Sequence, residues 1–471
     1  MRTLRIAALA ACLAAGASAQ APQFSTAVRA FIVHDQPLIV LTNARVIDGT
    51  GAAPRENQTL VIRNGVIESV GDAGRVRPPA GATTLDLKGK TVIPGLVMVH
   101  EHLYYPTGGQ VYAQLGASFS RLYLAGGVTT MRTGGNMNGV MDIKLKQEIE
   151  AGRQAGPAID ATAPYLNGPN PFIQMHGLSD VDDARMQVDY WVKMGATSFK
   201  AYMQITRAQL AAAIQEAHKR GIKVTGHLCS VTYAEAADLG IDNLEHGFLA
   251  STDFVADKKP DQCPGQGAGQ QSIAALDENG APFKALVKKL IDRNVALTST
   301  LTVFETFTPG RPKPPGLDVL VAPLREQYER VYERVSGNAD SRYAQLFPKA
   351  MALERAFARA GGLLIAGTDP TGSGGVIPGY SNGRQIELLV EAGFTPVEAI
   401  QIATSNGAKY LGREARIGTI AAGRQADLVI VNGNPAAAIS DIRNVELVFK
   451  QGIGFDPQKL IESVRGRVGL W

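Results

Sequence analysis

The sequence predicts an α/β protein: a (β/α)8 barrel of the TIM type over residues 94–405, carrying a small β-sandwich domain assembled from both ends of the chain, residues 20–93 and 406–471. Three observations predict it. Strand-like and helix-like segments alternate through the middle of the chain, the rhythm of a parallel α/β sheet. Five mostly apolar, β-rich runs there end in histidine, lysine or aspartate, and barrels of this kind carry their active sites on the C-terminal face of the strands. Short β-rich segments with tight-turn signals occur at both ends of the chain and are expected to pair.

The elements follow in order. Residues 1–19 read as a signal peptide: Arg2 and Arg5 precede the apolar run Ile6–Ala15, and Ala17-Ser18-Ala19 fits the cleavage pattern. A periplasmic or secreted protein is expected. The run is shorter than the ~20 apolar residues of a membrane span, and nothing else in the chain reads as one. Leu9-Ala10-Ala11-Cys12 resembles a lipobox, but its apolar region would be very short. Leu38–Thr42, Thr59–Arg63 and Leu85–Ile93 read as strands, with Asn64-Gly65 as a hairpin turn. Thr206 and Gln209 form a capping box for a helix stopped by Gly221. Strand Ile222–Thr225, helix Tyr233–Leu239 with its stop at Gly240, and strand Ile241–Leu244 continue the alternation. Helix Met351–Ala360 and strand Leu363–Ala366 resume it. Ala426–Val431 and Val445–Phe449 are the C-terminal strands. Residues 252–285 and 305–348 break the rhythm on the active-site side, as lids or as solvent-facing decoration.

With 471 residues, 45% of them hydrophobic, the chain can bury a large core. A net charge of +4, falling to +2 without Arg2 and Arg5, carries no basic stripe, so nucleic acid is not an expected partner. A small-molecule substrate is expected, and the oligomeric state is open. After loss of Cys12, Cys229 and Cys263 remain, as a disulfide or as buried thiols.

The chemistry lies at the strand ends. Burying an unpartnered polar group costs a few kcal/mol, so six such groups on five strands point to one shared partner, a divalent metal. His100 and His102, at i and i+2, share one face of a strand, and Glu101 between them points away. Lys200, His227, His246 and Asp369 end later runs. Asp369 is suited both to ligation and to proton transfer. His176 is either a donor to the substrate carbonyl or a loop histidine. Tyr104, Tyr105 and Tyr233 are either pocket or core residues, and His34 and His218 read as structural.

Val92-Ile93-Pro94-Gly95-Leu96 before His100 and His102, with the segment from Ile417 to Asp427, resembles the amidohydrolase superfamily, in particular its imidazolonepropionase-like and prolidase-like branch. The resemblance runs from Ile39 to about Val448. It implies that His100, His102 and Asp369 hold one metal and that His227 and His246 hold a second. Lys200 would bridge them as a carbamate formed with carbon dioxide. Zinc is the expected ion, with manganese or cobalt as alternatives. The implied reaction is hydrolysis of an amide-type C–N bond, in a dipeptide, an N-acyl amino acid or an aromatic amide, by metal-activated hydroxide. Ester or lactone hydrolysis on the same site is one alternative; a catalytically silent binding protein is another.

Overall fold

A computed structural model describes residues 23–108, 111–172 and 174–469. The expected signal peptide lies outside them. Among the described residues no helix is long and apolar enough to cross a membrane.

Strands from both ends of the chain pair as expected. One sheet runs in the order Ile32–His34, Ile453–Phe455, Val445–Lys450, Leu428–Asn432, Lys90–Pro94, Leu38–Val46, Arg55–Arg63, Val66–Asp72, with Thr83–Asp86 added beside Leu38–Val46. Lys90–Pro94 and Leu428–Asn432 join the two halves antiparallel. Side-chain alternation assigns the faces. Leu428 and Ile430 share a core with Ile39, Leu60 and Phe449, whereas Val429 and Val431 join the main core of the molecule. The expected sandwich is therefore one hydrogen-bonded sheet enclosing its own apolar cluster.

Two local expectations change or sharpen. The run Leu85–Ile93 is two strands, broken by a turn in which Lys90 N–H donates to Leu87 O and Gly89 takes a φ of +82°. Asn64 and Gly65, at φ +49° and +79°, form the expected tight hairpin turn.

The middle of the chain holds eight parallel strands. Ala158–Asp160, Val128–Thr133 and Leu96–Glu101 form one sheet; Phe199–Ala201, Val224–Gly226, Asn243–Glu245, Ala296–Ser299 and Leu364–Ala366 form the other. Both pairs of facing edges are linked. Thr162 bridges Ser198 and Leu166 bridges Ala201 on one side. On the other, the N–H groups of Thr368 and Asp369 both donate to His100 O at 3.1 Å. That seam needs Gly367, since a Cβ there would lie 2.4 Å from the Cβ of His100.

Local signals set the helices. Thr206 and Gln209 cap Arg207–His218 reciprocally, Thr232 and Glu235 do so for Tyr233–Leu239, and Gly240 ends the latter in the left-handed region.

Candidate active site

The C-terminal ends of five parallel strands meet around one point. His100 lies in Leu96–Glu101 with His102 just beyond; Lys200 lies in Phe199–Ala201; His227 and His246 immediately follow Val224–Gly226 and Asn243–Glu245; Asp369 follows Leu364–Ala366. Asp369 Oδ1 is 3.1 Å from His102 Nε2 and 3.6 Å from His100 Nε2, and Asp369 Oδ2 is 3.7 Å from His246 Nδ1. Lys200 Nζ is 3.4 Å from His100 Nε2. The His246 ring lies 4.7 Å from that of His100 and 4.4 Å from that of His227, between centroids. Four of the seven histidines thus share one site.

Surrounding groups orient these side chains. His102 Nδ1 hydrogen-bonds Gly135 O at 3.0 Å and His246 Nδ1 bonds Thr300 Oγ1 at 2.9 Å, which fixes the orientation of both rings. Glu101 accepts from Thr368 Oγ1 and, at 3.0 Å, from Asn382 Nδ2, so it ties the His100–His102 strand to the residue before Asp369. His246 and Asp369 both adopt left-handed backbone, at φ +69° and +55°. This region disfavours any residue with a Cβ.

Burial sets the charge states. Desolvation lowers His102 to about 4 and, with Lys200 nearby, His227 to about 3, so both imidazoles are neutral at physiological pH. Burial depresses Lys200 against the pull of Glu245 and Asp369. Burial alone would raise Asp369; hydrogen bonds from His100 and His102 outweigh it and hold the carboxyl well below its usual range.

Glu245 and Arg132 also belong to this centre, and the sequence reading missed both. Glu245 Oε2 lies 2.6 Å from Lys200 Nζ and 3.5 Å from His100 Nδ1, and Arg132 reaches Glu245 Oε1 at 3.1 Å. The donor set fits a divalent cation on two counts. His100, His102 and Asp369, and also His100, Glu245 and His246, present ligand atoms within 4.8 Å of one another. His100 Nδ1 is buried without a hydrogen-bond partner, and the ring is packed so tightly that a Cβ on Gly134 would lie 2.5 Å from its Cδ2.

Comparison with known proteins accords with this geometry. A model of the amidohydrolase family matches residues 91–453. The chain belongs to the amidohydrolase family. An enamidase from Eubacterium barkeri is 24% identical over 417 residues, 86% of this chain and 88% of that protein. The crystal structure of a putative prolidase from Bifidobacterium longum superposes with a TM-score of 0.68 at 25% identity, covering 92% of this chain and 99% of that one. A Xaa-Pro dipeptidase with bound methionine gives 0.67 at 20% identity, covering 89% and 100%. These relatives place the protein in the prolidase-like branch, and the structural neighbours imply a TIM-type barrel with an added domain.

The amidohydrolase has its site at the floor of two adjoining cavities of about 440 and 210 Å³, both lined by His227, His246 and Asp369. Tyr104 lines the larger one, its ring 4.5 Å from that of His102 and tilted 31° to it, with its hydroxyl hydrogen-bonded to Tyr165. Two other expectations are corrected. His176 does not reach either cavity: Nε2 bonds Asp183 Oδ2 at 3.0 Å and half the side chain is exposed. Tyr233 is core, its hydroxyl 3.0 Å from both Glu245 O and Gly247 O, where it pins the backbone on either side of His246. Tyr105 is likewise buried, bonding Gly375 N–H. Both irregular segments supply cavity wall: residues 252–285 through Thr252 and Gln270, residues 305–348 through Phe307, Gln327 and Tyr343. Cys229 and Cys263 form a disulfide that ties the first of these segments down.

Proposed function

We propose that this hydrolase cleaves an amide-type C–N bond, uses a pair of divalent metal ions, and works outside the cytoplasm in the periplasm or after secretion. The convergence of His100, His102, Lys200, His227, His246 and Asp369 beneath a cavity carries the reading. The linked edges of the two parallel sheets support a closed eight-stranded barrel, and the Cys229–Cys263 disulfide supports an oxidising compartment. The names of the enamidase and prolidase relatives support an amide-type bond.

His100, His102 and Asp369 would hold one ion and His227 and His246 a second, and Lys200, carbamylated by carbon dioxide, would add anionic oxygen to the donor set. Zinc suits the imidazole-rich set. Bound there, the metal supplies Lewis acidity and a water whose pKa falls toward neutrality. His102 and His227 arrive neutral, and no proton would have to leave them before ligation. Asp369, ionised and adjacent to the three histidines, accepts the proton of the attacking water and returns it to the leaving nitrogen.

Metal analysis of the purified mature chain, joined to a panel of amides and esters, tests the reading. About two equivalents of metal per chain are expected, with amide hydrolysis lost on chelation and restored by zinc. Turnover indifferent to a chelator, or a metal-free active chain, overturns it.

A further inference from the structure

The reacting bond has to lie over His227, His246 and Asp369, which line both cavities. A substrate cleaved there therefore extends one arm into each. In the larger cavity the arm meets Tyr104, Tyr112, Tyr165 and Tyr202. In the smaller it meets Phe304 and Phe307, with Leu228 and Leu249 behind them. Flat aromatic walls on both sides of the cleavage point favour flat or bulky apolar groups on both sides of the bond.

Charge narrows the choice further. Among the described residues lining the two cavities, the ionised groups are those of the metal cluster, Lys200 and Asp369. The amide polar groups are largely engaged with the protein itself. Gln174 accepts from Tyr112 N–H at 2.8 Å and donates to Tyr112 O at 3.0 Å, and Gln270 donates to Tyr343 at 3.0 Å. Arg342, beyond Tyr343 at the outer rim, is exposed to solvent and faces Gly267 O and Gln270 Oε1 at 3.4 Å each. Away from that cluster neither arm finds a buried cation among the described lining residues to pair with a carboxylate, and an unpaired charge taken out of water is strongly penalised.

We infer that the substrate is an uncharged amide, carbamate or urea with an aromatic or bulky apolar group on each side of the scissile bond, and that the site discriminates against the free carboxylate of a dipeptide or N-acyl amino acid. The inference rests on the hydrolytic reading of the site and names the ligand class that fits it.

A matched pair separates the two. N-benzoyl-phenylalanine and its N-methylamide share one benzamide bond, read in both by release of benzoate, and the second replaces the carboxylate with a neutral amide. With the zinc-loaded full chain, kcat/KM and the calorimetric dissociation constant are measured for both. The neutral compound should be preferred by about tenfold or more, the discrimination set by an unpaired charge. Gln327→Arg, which places a cation at the mouth of the larger cavity, should narrow that preference several-fold. Equal or better handling of the free acid overturns the inference while leaving the hydrolase reading intact, as does an unchanged preference in the Gln327→Arg protein. Selective binding of the neutral compound without turnover of either sustains the inference and counts against the hydrolase reading. Failure to bind either compound overturns the inference.

Discussion

Arg132→Met should unsettle the fold from its centre. Arg132 is 1% exposed, and its guanidinium donates to Ser198 Oγ at 2.6 Å, Val99 O at 3.1 Å, Thr225 Oγ1 at 2.7 Å and Glu245 Oε1 at 3.1 Å. Those partners come from four of the parallel strands and their flanks, so one side chain ties together much of the inner face. Methionine keeps a similar reach but offers no donor. Glu245, fully buried, then loses its cationic fork and keeps Thr225 Oγ1 at 2.7 Å and Lys200. Removing one partner of a buried ion pair costs about 3–5 kcal/mol. The assay is the urea unfolding midpoint of metal-free and zinc-loaded protein, with metal content measured on the same samples. Zinc content should fall as well, because Glu245 positions Lys200. Adding Glu245→Gln removes the stranded charge, so the double variant should recover about 1 kcal/mol or more relative to Arg132→Met alone. An Arg132→Met protein within about 1 kcal/mol of the parent, or a double variant no more stable than the single one, refutes the reasoning.

Further predictions concern catalysis, the lid and pH. Asp369→Asn should lower kcat by about 10²–10⁴-fold, the usual worth of a positioned acid–base group, with an unchanged circular dichroism spectrum; near-normal turnover contradicts the proton-transfer role. Cys229→Ser, which opens the disulfide to Cys263, should cost about 2–4 kcal/mol and expose residues 252–285 to limited proteolysis; a cleavage pattern identical to the parent's contradicts the tethering. Burial raises Glu354 from 4.5 to about 8. The folded chain therefore keeps a proton that the unfolded chain releases across that interval, and stability from this group declines as pH rises through it. Glu354→Gln should flatten the decline between pH 5 and about 8; an equally steep slope in the variant counts against it.

What the sequence disclosed and what it withheld follow from the range of each signal. Asn64-Gly65, the Thr206–Gln209 box and Gly240 act within a few residues, and each does what its chemistry predicts. The helix read as Met351–Ala360 runs over Tyr343–Arg359, because Pro348 inside it reads locally as a breaker. Long-range partners are invisible at that scale. His176 near a strand end has the look of a catalytic group, but Asp183, in the first turn of helix Val181–Met194, holds it aside. Arg132, in strand Val128–Thr133, carries no local signal of its role, because its partner Glu245 lies 113 residues away. The period-two spacing of Arg132 and Thr130 carries no hint of which face turns inward.

Backbone conformation argues most directly that the gathered residues are aimed rather than merely buried. A buried histidine or aspartate satisfied by its neighbours has no reason to leave the favoured regions of backbone space. His246 and Asp369 both sit in the left-handed region, which costs a residue with a Cβ roughly 1–2 kcal/mol. Each is held there by specific contacts. Tyr233 bonds the carbonyl groups on both sides of His246. Glu101 fixes Thr368, and Thr371 Oγ1 donates to Asp369 Oδ1 at 2.9 Å. A glycine at Gly247 and another at Gly367 adjoin the strained positions, Gly367 packed onto His100 too closely for any side chain. Strain of this kind persists where the direction of a side chain matters more than local stability. Here both distorted residues flank His100: Asp369 Oδ1 lies 3.6 Å from His100 Nε2, and the His246 ring lies 4.7 Å from that of His100. Relaxing either residue to ordinary strand geometry would swing its side chain out of that cluster, so the contacts that hold the strain are as necessary to the site as the gathered side chains themselves.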